Sequence, residues 1–176
     1  LEKSHTRSDF VEVVYATHAA GLKLSPTFIP FHPWTTTRGF VDLLSMILEL
    51  DLIENVSPIQ LGIRLLITQG SRILELKEIN QSLGDFDAEK LSYNWEYSDQ
   101  RVNKLQSEVY KAIQFGISEG YSRREIFEEV WKLSHNVSKL SVPTLPIKHG
   151  ESAPVPVMSE PWYCCAEPTD EQISGM

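Results

Sequence analysis

One stretch governs the choice of fold. In "TTTRGFVDLLSMILELDL" a threonine cap is followed by Phe40, Leu43, Leu44, Ile47 and Leu48. That is the i, i+3, i+4, i+7, i+8 stripe of a helix with one buried face. On its N-terminal side lies "LKLSPTFIPFHPW", where β-branched and aromatic residues predominate and Pro26, Pro30 and Pro33 exclude a helix. This predicts a strand over about Lys23 to Phe31, followed by a loop through His32, Pro33 and Trp34. On its C-terminal side "SPIQLGIRLLI" alternates, with Ile59, Leu61, Ile63, Leu65 and Ile67 on one face and Gln60, Gly62, Arg64 and Leu66 on the other. Strand, helix and strand in that order predict a parallel crossover unit, in a parallel sheet covered by helices.

Other segments are read from caps and period. "SDFVEVVYATHAAG" predicts a short helix, capped by Ser8, with Phe10, Val13 and Val14 on one face and Gly21 as its stop. "SRILELKEI" predicts a short helix capped by Ser71, and residues 80–97 an irregular, well-packed crossing. A helix over "SDQRVNKLQSEVYKAIQFGISEG" turns Val102, Leu105, Val109, Ile113 and either Phe115 or Ile117 inward. The next helix opens on Ser122 and Glu125, spaced as a capping box, and buries Ile126, Val130 and Leu133, with Phe127 a further candidate. From about Ser138 onward proline recurs every few residues without periodicity, which predicts an extended tail.

Charge and cysteine usage narrow the functional classes. A formal net charge of −8, with scattered basic residues, argues against nucleic-acid binding, which needs clustered Lys and Arg. No apolar run reaches the roughly 18 residues of a membrane span, and "LEKSHTRSDF" lacks the apolar core of a secretory signal, so a cytoplasmic location is expected. The two cysteines, Cys164 and Cys165, are adjacent, so no disulfide framework can staple the fold. A disulfide between neighbouring residues distorts the peptide bond between them and is easily reduced, which suits exchange better than stability. Two thiols alone cannot complete a structural zinc site, and no metal ligand set is expected. The bland alternative is an inert thiol pair kept reduced by the cytosol.

Three stretches, "FIPFHPWTTTRGFVDLL", "PIQLGIRLLITQGSRIL" and "EPWYCCAEP", together resemble the C-terminal part of radical S-adenosylmethionine enzymes. The group is the one named for a tail ending Cys-Cys-Ala-Glu-Pro or its selenocysteine equivalent. The resemblance covers about residues 8–78 and 160–168, and the tail is its most specific element. It implies an α/β fold: the last two strand-helix units of a partial (βα)6 barrel with parallel strands at residues 1–78, an α-helical extension at 79–137, and a Pro-rich disordered tail at 138–176. It also implies S-adenosylmethionine and a 4Fe-4S cluster in a longer parent oxidoreductase. Such clusters are held by Cys-x3-Cys-x2-Cys, which this chain lacks, so it is expected to be a C-terminal fragment, not catalytic alone, whose partner is the missing N-terminal part of the same barrel. A fragment of that kind exposes sheet edges and is expected to self-associate.

Site residues follow from the resemblance. Family members often carry Gly-x-Ile-x-Gly-x-x-Glu on the fifth strand, with the isoleucine against adenine. In "TFIPFHPW" Ile29 keeps the hydrophobic place, whereas Thr27, Phe31 and Trp34 stand where the glycines and the glutamate would be. Leu66 and Ile67 would lie beside the same adenine. Because chemistry gathers at the C-terminal ends of barrel strands, His32, Trp34, Thr35, Gln69 and Ser71 would sit at the mouth. His32 is a candidate substrate contact or a loop tie. Arg64 would point into the lumen and hold a carboxylate or phosphate of a small-molecule or peptide substrate, or pair with a carboxylate from the missing part. Cys164 and Cys165 are the candidate catalytic pair, with Trp162 and Tyr163 anchoring the tail to the body. The competing reading is a non-catalytic interaction module in which helices over 98–136 bind a partner and the tail is a linker.

Overall fold

The computed structural model describes residues 4–146 and 155–156. Four α-helices dominate it: α1 (Arg7–Ala19), α2 (Thr37–Glu49), α3 (Gln100–Ser118) and α4 (Arg123–Val137). Between α2 and α3 lie three 3-10 turns, Pro58–Leu61, Arg72–Glu75 and Lys77–Gln81, and one antiparallel hairpin of β1 (Leu83–Asp87) and β2 (Ser92–Trp95). The architecture is a helix-rich α/β arrangement, and the expected parallel-strand barrel units are not formed.

The reason lies in the donors. In the segment expected as the first strand, Pro26 and Pro30 have no N–H to give, and residues 22–30 form no strand. Only Phe31 pairs: its N–H donates to Ile63 O at 3.2 Å and its carbonyl accepts from Leu65 N at 2.8 Å, a single parallel bridge opposite Arg64. The expected second strand is cut at its start, because Pro58 opens a 3-10 turn that coils residues 58–61. Gln60, expected outward, is buried there, and its Oε1 accepts from Phe28 N at 3.3 Å. Beyond the turn the alternation describes burial from Ile63 onward: Ile63, Leu65 and Ile67 are inside, and Arg64 and Leu66 are half-buried. Alternating burial marks an extended chain with one covered side, and it does not require a neighbouring strand.

The remaining non-helical region differs from expectation as well. The helix expected after Ser71 is two short 3-10 turns, and Ser71 makes no side-chain cap. Residues 80–97, read as irregular, hold the hairpin, in register at Leu83 with Trp95, Phe86 with Tyr93 and Asp87 with Ser92, and bulged between Leu83 and Phe86. Its turn is built by Asp87, whose Oδ1 accepts from Glu89 N at 2.9 Å and Lys90 N at 3.1 Å.

Helix boundaries follow from caps. Thr6 caps α1, two residues before the expected Ser8, in a capping box with Asp9. Thr36 caps α2 by accepting from Gly39 N at 2.9 Å, and Ser122 with Glu125 forms the expected box on α4. The hydrogen bonds within the two boxes lower the pKa of the Asp9 and Glu125 carboxyls. At its far end α3 stops on Gly120, at φ 72°, with Gly120 N donating to Ile117 O and Tyr121 N to Gly116 O.

One apolar core joins these elements, from Val14 and Phe31 through Phe40, Leu44 and Ile47 to Leu105, Ile113, Ile126 and Trp131. α2 contributes Phe40, Val41, Leu44, Met46 and Ile47, with Leu43 and Leu48 packed at the margin. α3 contributes Val102, Leu105, Val109, Ile113 and Gly116. Neither Phe115 (57% exposed) nor Ile117 (51% exposed) takes the inward place, which Gly116 occupies. On α4, Ile126, Phe127, Val130 and Trp131 are inside and Leu133 is half-buried. Among the described residues no helix is long and apolar enough to cross a membrane.

Candidate functional site

The loop between residues 22–30 and α2 shapes a concavity. Thr35 ties this loop to itself: its hydroxyl donates to Pro30 O at 2.7 Å and accepts from His32 N at 3.0 Å, and Thr35 N donates to His32 O at 2.8 Å. The result is a groove of about 320 Å³, lined by Phe28, Ile29, His32, Trp34, Phe40 and Leu43 together with Thr36 and Gly39 at the α2 start. Apolar walls with a few convergent polar groups are the usual form of a small-molecule site.

His32 is the groove's titratable group. Its Nδ1 is buried without a hydrogen-bond partner, and its ring lies 5.9 Å from that of Trp34. Burial pushes its pKa below the ordinary 6.5, because the charged imidazolium loses hydration. The ring is therefore neutral near pH 7 and offers one donor and one acceptor. Trp34 is 42% exposed at the groove, whereas Trp95 and Trp131 belong to the core.

Of the residues singled out in the sequence, Ile29 and His32 share this groove. Leu66, Ile67 and Arg64 do not line it. Ile67 is fully buried in the core, and its carbonyl accepts from Tyr93 N at 2.8 Å. Arg64 is placed by the hairpin: its guanidinium carbon lies 3.8 Å above the Trp95 ring, and Nη2 donates to Trp95 O. Trp95 Nε1 in turn donates to Leu65 O at 2.8 Å, so this stack clamps segment 63–67 against β2. Cys164, Cys165, Trp162 and Tyr163 lie outside the described residues.

Two residues that sequence reasoning passed over hold structurally demanding positions. His135 is 4% exposed, with Nδ1 2.8 Å from Trp131 O and its ring 4.2 Å from that of Trp131. A carbonyl only accepts, so Nδ1 carries the proton. The helical spacing of Phe127, Trp131 and His135, four residues apart on one face of α4, was the available signal. The other is Arg123, whose guanidinium reaches two backbone carbonyls; no spacing rule signals such a contact.

The chain's only cysteines are consecutive, and no group of three or more His, Cys, Asp or Glu among the described residues could hold a metal. Compared with models of protein families, with curated proteins and with solved structures, the chain matches none.

Proposed function

We propose that this chain is the C-terminal part of a radical S-adenosylmethionine oxidoreductase of the Cys-Cys-Ala-Glu-Pro tail group, a helical body carrying a redox-active thiol pair. The observation that carries the reading is the terminal "EPWYCCAEP", in which two vicinal thiols stand in the tail context of that group. Cys164 and Cys165 act as a dithiol-disulfide couple: one thiolate attacks an external low-molecular-weight disulfide and expels its first thiol, then the neighbouring thiolate attacks the mixed disulfide and expels the second, so that the external disulfide is reduced as the pair is oxidised. The cytoplasm, which keeps free thiols reduced, is the compartment in which such a couple can cycle.

The groove of Ile29, His32 and Trp34 is the surface this body offers to a ligand of the complete enzyme, with neutral His32 as its polar contact. An iron-sulfur cluster with S-adenosylmethionine supplies radical chemistry in the resembled group, and here the cluster belongs to another part of the polypeptide. Iron and sulfide content, measured on a longer polypeptide containing this chain after anaerobic reconstitution, tests the reading. A cluster is expected, and a cluster-free parent refutes the assignment.

A second reading, a non-catalytic interaction module, is favoured by one observation. Phe115, Ile117 and Tyr121 are 57%, 51% and 42% exposed around the end of α3, where the Phe115 and Tyr121 rings meet edge to face at 6.0 Å. The same cluster measurement separates the two.

A further inference from the structure

After α4 the chain turns back, and residues 140–146, which form neither helix nor strand, lie along the same helix. Leu140 N donates to His135 O at 2.9 Å, Trp131 Nε1 donates to Pro143 O at 3.0 Å, and Arg124 Nη2 donates to Pro146 O. As the segment advances its partners recede towards the start of α4, so the two run antiparallel. Two of its residues, Pro143 and Pro146, are prolines three positions apart. Each fixes its own φ at about −65° and drives the residue before it, Val142 or Leu145, into the extended region. These constraints favour the polyproline II form, with three residues per turn and a rise of about 3.1 Å per residue.

The donors on α4 are spaced for that form. One polyproline turn separates the Pro143 and Pro146 carbonyls, which puts them on one side of the segment about 9 Å apart. Arg124 and Trp131 are seven residues apart, so they lie within about 20° of one helix face and about 10 Å apart along the axis. Trp131 is 4% exposed and its indole N–H can only donate, so it requires an acceptor brought to it. The Phe127 and His135 rings flank it at 6.1 Å and 4.2 Å, an aromatic row of the kind on which proline-rich segments dock. Leu145, just before the second proline, packs against the core, while Pro143 and Pro146 themselves are exposed. Both α4 donors take main-chain carbonyls, so the hold discriminates by backbone form and by the aliphatic side chain at the Leu145 place.

We propose that the α4 face of Arg124, Phe127, Trp131 and His135 is a docking site for a proline-rich segment of a partner protein, with the Pro-x-x-Pro spacing and an aliphatic residue before the second proline. The chain's own residues 140–146 occupy the site as a displaceable plug. None of this depends on the thiol chemistry above. A partner segment competes with a plug joined directly to α4, whose effective concentration is on the order of mM. Its apparent Kd is the intrinsic value divided by the fraction of chains in which the site is open.

The test uses the full chain carrying Pro143→Ala and Pro146→Ala together. Both prolines are exposed and every carbonyl stays in place, so the core is untouched. Through chain entropy each substitution favours release of the plug by about two- to fivefold, or roughly tenfold for the pair. The probe is the synthetic peptide Leu-Ser-Val-Pro-Thr-Leu-Pro, which has the sequence of residues 140–146, and the readout is the Trp131 indole N–H resonance of an isotope-labelled sample. The peptide is expected to bind the double variant about tenfold more tightly than the unsubstituted chain, and Leu145→Asp, which removes the plug's inward side chain, should open the site likewise. A peptide with alanine at both proline positions should bind about tenfold more weakly. Equal affinity for variant and unsubstituted chains, equal affinity of the two peptides, or a Trp131 resonance unmoved by millimolar peptide would overturn the proposal. Light scattering is expected to show no change in the mass of the double variant beyond the bound peptide. A dimer that the peptide dissolves would make a second copy's segment the occupant and overturn the assignment to a partner protein.

Discussion

At Gly116 α3 packs tightly on Ile126 of α4, and replacing it with alanine gives a prediction whose sign depends on that contact. A Cβ there would lie 2.6 Å from Ile126 Cγ1 and 3.1 Å from Ile126 Cδ1. Carbon atoms prefer 3.5–4.0 Å, so the two helices or the Ile126 rotamer must give by about 1 Å. Overpacking of that kind costs about 1–3 kcal/mol. Alanine is a better helix former than glycine by about 1 kcal/mol, which offsets part of the loss. The net expectation is destabilisation by about 1 kcal/mol, or a Tm lower by about 2–4 °C for a chain of this size. Urea denaturation followed by circular dichroism measures it. In an Ile126→Ala background the obstructing atoms are gone, and Gly116→Ala should become stabilising by about 1 kcal/mol. A stabilised single variant, or strict additivity of the two substitutions, would refute the close crossing of α3 and α4.

Two further outcomes are expected. His32 has a folded pKa below its unfolded value of 6.5, so the unfolded chain binds the extra proton; the stability this residue contributes is complete above about pH 6.5 and declines as pH falls towards the folded pKa. His32→Asn should flatten the stability profile over that window, and an unchanged profile would show that the ring is not buried in the groove. Trp95→Phe removes the donor to Leu65 O and leaves a buried carbonyl short of a partner, a loss of about 1–3 kcal/mol, whereas Trp34→Phe at the exposed groove wall should change stability by less than about 0.5 kcal/mol. Equal losses at the two tryptophans in denaturant titrations would contradict the Arg64–Trp95 clamp.

The helical half of this fold is written in the sequence plainly. The stripe Phe40, Leu44, Ile47 and the series Val102, Leu105, Val109, Ile113 follow the helical period, and the box of Ser122 with Glu125 marks the start of α4. At the end of α3 the same period arrives at Gly116, and a search for a large apolar residue there turns to Phe115 or Ile117, both of which face solvent. The extended half was misread because alternation reports which side of a chain is covered and not what lies beside it. Pro30 and Pro58 decided the matter, one by lacking an N–H and the other by opening a turn, so a single bridge at Phe31 stands where a parallel sheet was expected. The hairpin at 83–95 escaped notice because its turn depends on the Asp87 side chain and lacks an Asn-Gly or Asp-Gly pair.

Legibility of the candidate site followed the same division. Ile29 and His32 lie within one short segment and come together in the groove, whereas Leu66, Ile67 and Arg64 were grouped with them on the strength of a sheet that does not form. The hold of Arg123 on Val155 joins residues far apart in the chain through backbone atoms, for which no residue pattern exists to be read.

The most direct measurement of the central claim is a redox titration of the whole chain in glutathione buffers, with the Cys164–Cys165 disulfide quantified by mass spectrometry after alkylation. A strained vicinal pair should give a two-electron transition above about −300 mV, abolished by Cys164→Ser or Cys165→Ser. Two free thiols at every potential, with no transition between them, would contradict the assignment of this tail to thiol-disulfide chemistry.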